Sequence, residues 1–229
     1  MDLKEHYLKL YTEALSKIKA DNYETDHLIN AVDDERFGIT LLIRPDNNTK
    51  TNIQHFLKEV QSIEPNQYYY PNSDIHITVM SIISCYVGFK LQSINIEDYV
   101  SAIKKNLENQ KSFHIQLKGL TASPSCILLQ GFFEEHTLND IRDQLRVSFK
   151  SSALQQSLDQ RYSIQTAHTT VIRFKEELVN KDAFLDLIEK YKDFDFGTFE
   201  VKNIELVYND WYQRAEFVQR LHNFELSKT

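Results

Sequence analysis

Two short stretches of the sequence repeat one pattern: a histidine, any residue, a threonine and an apolar residue. They are HITV, beginning at His76, and HTTV, beginning at His168. Both lie in runs that favour a β-strand, where side chains two residues apart point to the same face. We therefore expect His76 to share a face with Thr78, and His168 with Thr170. Because an imidazole gives or takes a proton near its ordinary pKa of about 6.5, two imidazoles, each beside a hydroxyl, could move two protons at a phosphate.

Paired histidines can instead hold a metal ion, but the sequence offers little for that use. A zinc site would need a third ligand and a spacing such as H-E-x-x-H or paired cysteines, and the chain contains neither spacing. The five glycines are scattered rather than gathered in a phosphate-binding loop, which disfavours nucleoside triphosphate hydrolysis and dinucleotide binding. We expect a site that uses no metal and no cofactor.

The composition predicts a globular protein of one large domain or two small ones. The chain has 229 residues, of which 41% are hydrophobic and 26% are charged, as is typical of globular proteins. The formal net charge of −7 argues against a broad surface that follows the phosphates of a long nucleic acid. A small basic pocket is compatible with that charge, so we expect the partner to be a nucleotide or an RNA end.

We expect the protein to be cytoplasmic, monomeric and free of membrane contact. The first residues carry charges where a secretion signal needs an apolar run, and no apolar stretch approaches the length of a membrane span. Cys85 and Cys126 lie in apolar runs and form no C-x-x-C pair. We interpret them as buried free thiols of a reducing compartment.

Helical and strand patterns are mixed along the chain. Apolar spacing predicts helices over residues 3–20, 51–63 with Thr51 as the cap, 96–107, 137–149 and 182–191. Strand patterns cover residues 37–43, 75–83, 113–120, 126–132, 165–174, 196–208 and 215–226. Hairpins occur as well as crossovers, which predicts an α+β fold with helices packed on mostly antiparallel sheet.

The two motifs and their context resemble the two-histidine (2H) phosphoesterase superfamily, which includes the bacterial 2′-5′ RNA ligase-like proteins and the 2′,3′-cyclic nucleotide phosphodiesterases. The signature of that superfamily is a pair of H-x-T/S motifs, and both motifs here fit it. The strand pattern over residues 199–207 is similar to the penultimate strand of these proteins, and residues 221–226 to the closing one. The resemblance implies two pseudo-symmetric lobes with outer helices and a central cleft over residues 37–229. Residues 1–36 would be an N-terminal helical extension.

The resemblance also implies roles for the four motif residues. His76 and His168 would divide the tasks of general base and general acid, and Thr78 and Thr170 would donate hydrogen bonds to the phosphoryl oxygens. For hydrolysis we favour His168 as the base and His76 as the acid, but the assignment depends on the direction of the reaction.

The expected function is that of a metal-independent phosphodiesterase. It would open a 2′,3′-cyclic phosphate, or a related cyclic or 2′-5′ phosphodiester, on a nucleotide or RNA end. Three alternatives stay open: a hydrolase of cyclic oligonucleotide signals, a non-catalytic RNA- or nucleotide-binding module using the same cleft, and an α+β protein with accidental motifs.

Four further residues are candidates for substrate binding, and each has a structural alternative. Tyr70 precedes the first motif and could stack on a base or simply pack. Tyr208 and Trp211 end a predicted strand, where an aromatic side chain could line a cleft edge. Arg173 matches a position at which 2H phosphoesterases often carry arginine. Strict strand alternation puts it on the face opposite His168, so a structural salt bridge is its alternative to phosphate binding.

Overall fold

The computed structural model describes residues 2–31, 33–133, 136–160 and 163–228. Its helices are α1 (Leu3–Lys19), α2 (Asn47–Ile63), α3 (Ile96–Leu107), α4 (Thr137–Lys150) and α5 (Lys181–Lys190). Its strands are β1 (Arg36–Ile43), β2 (Tyr68–Tyr69), β3 (Ile77–Val87), β4 (Phe113–Ser123), β5 (Cys126–Phe133), β6 (Thr169–Arg173), β7 (Asp195–Val201), β8 (Asn203–Asp210) and β9 (Gln219–Glu225). Within this part of the chain, no helix has the length and apolar character needed to cross a membrane.

The strands form two sheets, and each sheet carries one histidine motif. The first sheet has the order β3-β1-β8-β9 and the second the order β2-β6-β5-β4-β7. Every pairing between these strands is antiparallel. His76 comes directly before β3 of the first sheet, and His168 directly before β6 of the second. The predicted α+β fold with two lobes of antiparallel sheet is confirmed.

The helices cover the two sheets and share one hydrophobic core with them. Helix α1 packs on β4, α2 on β7 and α5, α3 on α4 and β9, and α4 on β3. The buried side chains of α1 belong to the same core as those of the sheets; they include Tyr11, Ala14, Leu15 and Ile18. The N-terminal helix is therefore packed into the two-lobed unit. Cys85 and Cys126 are both buried and free.

The region predicted as a single strand over residues 196–208 is two strands in different sheets. Strand β7 ends at Val201 beside β4, and β8 begins at Asn203 beside β1. The alternation of buried and exposed residues breaks at Lys202 and Asn203, which are both exposed. The chain thus passes from one sheet to the other at Lys202, and two successive polar residues were the sequence signal of this break.

Helix α2 begins earlier than its apolar pattern predicts. The carboxylate of Asp46 accepts a hydrogen bond from the backbone N–H of Thr49 at 2.8 Å, which makes Asp46 the N-cap. Thr51 lies inside the helix and donates its hydroxyl to the carbonyl of Asn47. The prediction that Thr51 caps this helix is therefore wrong, because an aspartate one turn earlier supplies the acceptor.

Each motif strand contains a β-bulge one residue after its threonine. Along β3, Thr78 and Met80 pair with adjacent residues of β1, so β3 has one residue more than its partner. Along β6, Thr170 and Ile172 pair with adjacent residues of β5, with the same effect. A bulge shifts the alternation of side chains by one residue. The third residue after each threonine therefore lies on the face of that threonine.

Strand β5 approaches the second motif closely at Gly131. A Cβ atom on Gly131 would collide with the carbonyl group of Ala167, the residue before His168. We predict that Gly131→Ala lowers the free energy of unfolding by about 1–3 kcal/mol, as overpacking does, and displaces His168. Denaturant unfolding measures the first effect, and the NMR signals of the His168 ring report the second.

Gly88→Ala is the matched control for this substitution. A Cβ atom at Gly88 meets no heavy atom within 4 Å, although its φ of +91° strains any other residue. Gly88→Ala should therefore lower the free energy of unfolding without moving His168. An unshifted His168 ring in Gly131→Ala would contradict the proposed close packing beneath the motif.

Candidate active site

The two histidine motifs meet in one cleft to which both sheets contribute. A cavity of about 200 Å³ is lined by His76 and Thr78 from the first sheet, and by His168 and Thr170 from the second. The four side chains expected to do the chemistry therefore face the same space. This arrangement requires the two sheets to be held in a fixed position relative to each other, because no single strand carries both motifs.

The ring of His76 is held by a backbone carbonyl. Its Nδ1 lies 2.7 Å from the carbonyl oxygen of Asp74, two residues earlier. A carbonyl oxygen only accepts, so Nδ1 carries the hydrogen and Nε2 of the neutral ring has a lone pair. The Asp74 carboxylate accepts hydrogen bonds from the backbone N–H of Ala215 at 3.0 Å and the hydroxyl of Ser73 at 2.7 Å. These contacts fix the segment that orients His76.

The ring of His168 is held by a hydroxyl instead. Its Nδ1 lies 2.7 Å from Oγ1 of Thr166, again two residues earlier. A hydroxyl both donates and accepts, so this contact is compatible with either neutral tautomer of the ring. The hydroxyl of Tyr7, on helix α1, lies 3.3 Å from the backbone oxygen and nitrogen of Gly131, the residue that packs against Ala167. The N-terminal helix thus contributes to the support of the second motif.

Burial lowers the pKa of both imidazoles to about 4, because the charged ring loses its water. The carbonyl of Asp74 partly opposes this shift at His76, whereas the positive charge of Arg44 adds to it. The charge of Arg142 adds to the shift at His168. Both rings are therefore neutral at pH 7 in the free protein, and a bound phosphate anion would favour their protonation.

A buried arginine on α4 connects the two motifs. The guanidinium of Arg142 donates hydrogen bonds to the carbonyls of Thr78 and Val79 on the first motif strand, and to that of Thr166 beside the second, each at 2.9 Å. The side chain is fully buried. Burial lowers its pKa only to about 10, so it stays charged at neutral pH.

Sequence reasoning missed Arg142, although a signal was present. The residue lies in the apolar row of α4, whose other buried members are Leu138, Ile141, Leu145 and Phe149. A charged residue in such a row must find partners in the interior. Its position therefore indicated a buried polar contact, but the partners depend on tertiary structure.

Arg173 forms the ion pair that was its structural alternative, and its side chain also lines the cleft. It lines the cleft with His168, because the bulge in β6 brings it to the face of Thr170; strict alternation, which predicted the opposite face, is wrong for this strand. Its Nε donates to the Tyr70 hydroxyl at 2.9 Å, and its Nη1 lies 3.6 Å from the Asp26 carboxylate. Tyr70 is buried and also lines the cleft.

The structure separates the two remaining aromatic candidates. Trp211 lines the cleft, and the guanidinium of Arg36 lies over its ring at 5.0 Å. Tyr208 lies elsewhere: its ring is stacked on Phe37 at 5.0 Å and is tilted against Phe89 at 6.0 Å. Tyr208 therefore packs within the first lobe, away from the motif histidines.

The connection between α4 and β6 forms a further wall of the cleft. The backbone N–H of Ser157 donates to the carbonyl of Ile82, and the N–H of Ser84 donates to the Ser157 hydroxyl at 2.7 Å. Asp159, which pairs with Arg146 at 3.1 Å, also lines the cavity. Residues 161–162 of this connection lie outside the described residues. The residues of this connection that precede them are hydrogen-bonded to β3.

Over the residues that the structure describes, no group of three histidine, cysteine, aspartate or glutamate side chains is placed to hold a metal ion. The cleft instead offers imidazoles, hydroxyls and a guanidinium. These groups can exchange protons with a phosphate ester and donate hydrogen bonds to it.

Two antiparallel sheets that face a common cleft, each with one H-x-T motif, are the architecture of the 2H phosphoesterases. The family model described as the AKAP7 2′5′ RNA ligase-like domain matches residues 40–216. The chain belongs to this family, within the 2H phosphoesterase superfamily, and membership supports a phosphoesterase-type enzyme. Helix α1 lies outside the matched range.

Solved structures share the fold at low sequence identity. The protein TT0787 of Thermus thermophilus superposes with a TM-score of 0.59 and 12% identity, covering 83% of this chain and 98% of that one. LigT of E. coli, in complex with 3′-AMP, gives a TM-score of 0.55 and 13% identity, covering 84% and 99%. The protein ATU0111 of Agrobacterium tumefaciens gives 0.54 and 15%, covering 93% and 97%. No curated protein matches the sequence.

The partly buried imidazoles predict an unusual titration. NMR of the histidine rings should show His76 and His168 protonating near pH 4, well below the ordinary value of about 6.5. Nitrogen chemical shifts should place the hydrogen of neutral His76 on Nδ1. A His76 ring that carries its hydrogen on Nε2, or two rings that titrate near pH 6.5, would contradict the hydrogen bonding and burial described above.

The same shifts predict how stability depends on pH. Between pH 6.5 and pH 4 the unfolded chain binds protons on these rings that the folded protein does not bind. The free energy of unfolding should therefore fall as the pH is lowered through this window, and these groups should not change it above the window. The double variant His76→Asn/His168→Asn should show a shallower fall in denaturant titrations.

Arg142 should be indispensable to the fold of the cleft. Arg142→Met removes the donors of three carbonyls, and each buried carbonyl left unpaired costs about 1–3 kcal/mol. We expect lower stability and altered ring signals for both motif histidines. Val147→Met, at an exposed position of the same helix, is the control and should change neither. Ring signals that stay unaltered in Arg142→Met would exclude a bridging role.

Proposed function

We propose that the protein is a metal-independent phosphodiesterase that opens a 2′,3′-cyclic phosphate, or a related cyclic or 2′-5′ phosphodiester, of a nucleotide or RNA end. One observation carries the proposal. His76 and His168 line one cleft, and each has its Nδ1 engaged by the residue two positions earlier. Each ring thus has Nε2 available for proton transfer.

The reaction needs one proton removed and one supplied. A base takes a proton from water, whose oxygen bonds to phosphorus while one P–O bond to the ribose breaks. An acid gives a proton to that ribose oxygen, and the ring of the cyclic ester opens to a phosphomonoester. Each positioned proton transfer contributes roughly 10²–10⁴ in rate. The hydroxyls of Thr78 and Thr170 can donate to the remaining phosphoryl oxygens as their negative charge increases.

Hydrogen bonding favours His76 as the base for hydrolysis, the reverse of the preference drawn from the sequence. The Asp74 carbonyl holds neutral His76 in the tautomer with a free Nε2 lone pair. A bound phosphate favours protonation of His168, and the Thr166 hydroxyl can then accept from Nδ1–H while Nε2–H gives its proton to the ribose oxygen. Only His76 is restricted to the form that a base requires, so His168 is assigned as the acid.

The likeness to E. coli LigT supports a nucleotide ligand. Structures of that protein contain 3′-AMP, ATP or NADP⁺. A cavity of about 200 Å³ suits a nucleotide or one chain end rather than a duplex. Arg173, on the face of Thr170, supplies a positive charge beside the place where the phosphate would bind.

Removal of either histidine should abolish turnover. With 2′,3′-cyclic nucleotides and a cyclic-phosphate-ended RNA as substrates, in EDTA, we expect His76→Ala and His168→Ala each to lose at least roughly 10²-fold in kcat. His55→Ala, an exposed histidine on α2, is the control and should keep the wild-type rate. Unfolding curves check that the variants are folded.

Near-normal rates in either motif variant would contradict acid–base catalysis by this pair. Loss of wild-type activity in EDTA, restored by zinc, would contradict the metal-independent mechanism. Binding of the nucleotides without turnover by the wild-type protein would exclude the enzyme and favour a binding module.

A substrate with a good leaving group separates the two roles. A p-nitrophenyl phosphodiester of a 2′-deoxynucleoside releases p-nitrophenolate, which needs no proton from an acid. On this substrate His168→Ala should recover most of its lost rate and His76→Ala should not. The opposite result would return the assignment to His168 as the base.

A further inference from the structure

Three residues that end β8 and follow it line the cleft at alternate positions: Asn209, Trp211 and Gln213. None belongs to a histidine motif, and none takes part in the proton transfers proposed above. Two are amides with an aromatic residue between them. The Arg36 guanidinium lies over the Trp211 ring at 5.0 Å, which holds the ring at the edge of the cleft.

Both amides are buried, and both leave an oxygen atom without a hydrogen bond. Asn209 is 2% exposed and Gln213 is 4% exposed. Within the part of the chain that the structure describes, Oδ1 of Asn209 and Oε1 of Gln213 have no hydrogen-bond partner. A buried polar atom left unpaired is costly and uncommon in folded proteins. Asn209 and Gln213 both line the cleft, so a ligand bound there could supply the missing donors.

The orientation of the Asn209 amide is set by its neighbours. Its Nδ2 donates to the carbonyl of Asp210 at 2.7 Å and lies 3.5 Å from Sγ of Cys85. The nitrogen is therefore engaged, and the oxygen is the atom that stays unpaired. Asn209 consequently offers a ligand an acceptor and no donor.

The backbone at Gln213 is held in an uncommon conformation. Its φ of +62° lies in the left-handed region, which residues other than glycine seldom adopt. The turn is tied down by Asp210, whose carboxylate accepts from the backbone N–H and the Nε of Arg214 at 2.8 and 2.7 Å. Conformations of this kind persist where the surroundings impose them and are frequent at ligand-binding sites.

We propose that Asn209 and Gln213 recognise the exocyclic amino group of a nucleobase, with Trp211 packed against the base. This inference rests on the proposed function, since it concerns the nucleotide whose phosphate reaches His76 and His168. An amino group supplies two N–H donors, one for each unpaired oxygen. Adenine and cytosine carry such a group, whereas hypoxanthine and uracil have a carbonyl at the same position, which would face the two oxygens without a donor.

The matched ligands 3′-AMP and 3′-IMP differ at C6, where the amino group becomes a carbonyl, and at the adjacent N1, which gains a hydrogen, so their binding tests the proposal on the wild-type protein. Titration calorimetry should give a dissociation constant roughly 10- to 100-fold lower for 3′-AMP. The 2′,3′-cyclic phosphates of adenosine and inosine, and of cytidine and uridine, should differ in kcat/KM in the same direction. A ribose hydroxyl could also satisfy the two oxygens, and equal affinities for 3′-AMP and 3′-IMP would favour that explanation and overturn the proposal.

Gln213→Leu removes the amide at nearly the same size. It should weaken 3′-AMP binding and leave 3′-IMP binding nearly unchanged, which reduces the discrimination between them. Gln219→Leu, the same change at an exposed position of β9, is the control and should keep the full discrimination. Undiminished discrimination in Gln213→Leu would overturn the role of this residue.

The two proposals fail in different ways. Turnover of all cyclic nucleotides without preference for amino bases would overturn base recognition and leave the phosphodiesterase standing. Preferential binding of 3′-AMP without turnover of any cyclic nucleotide would support base recognition and overturn the phosphodiesterase. Absence of both binding and turnover would overturn both proposals.

Discussion

The cleft depends on a single buried guanidinium. The two histidine motifs belong to different sheets, so backbone pairing within a sheet cannot align them with each other. Arg142 does so by donating to carbonyls of Thr78 and Val79 on one side and of Thr166 on the other. A guanidinium presents several donors in a rigid plane, which suits carbonyls that arrive from separate strands. Because a buried charge without partners is unfavourable, the folded protein is stable only when those strands lie beside α4.

The two motifs are alike in sequence but differ in how their rings are held. In both, Nδ1 bonds to the residue two positions earlier, yet the partner is a carbonyl of Asp74 for His76 and a hydroxyl of Thr166 for His168. The carbonyl of Thr166 is already engaged by Arg142. Because of this difference the two lobes do not restrict their histidines to the same tautomer. It gives a physical basis for unequal roles of His76 and His168. Helix α1 adds to it, since the Tyr7 hydroxyl is hydrogen-bonded to the backbone of Gly131, which packs beneath the second motif.

Much of the fold was predictable because local patterns determine it. The α3 helix, the β4–β5 hairpin and the α+β class follow from apolar spacing and turn residues, and the H-x-T motifs identified the catalytic candidates. The crossing between sheets at Lys202 was missed because the break in the alternation there is only one residue long. The bulge that turns Arg173 into the cleft was missed because register depends on the partner strand. Arg142 was missed because the carbonyls that it binds are distant in sequence, and Gln213 because its place in the cleft depends on how the two sheets meet.

The central claim is that two imidazoles act on one phosphate from either side of the cleft. A crystal structure of the protein with adenosine and vanadate, which together mimic the five-coordinate phosphorus of the reaction, tests it most directly. The account predicts that Nε2 of His76 and Nε2 of His168 lie within roughly 2.6–3.2 Å of opposite apical oxygens, with the hydroxyls of Thr78 and Thr170 on the equatorial ones. A vanadate bound elsewhere, or in contact with only one imidazole, would contradict it.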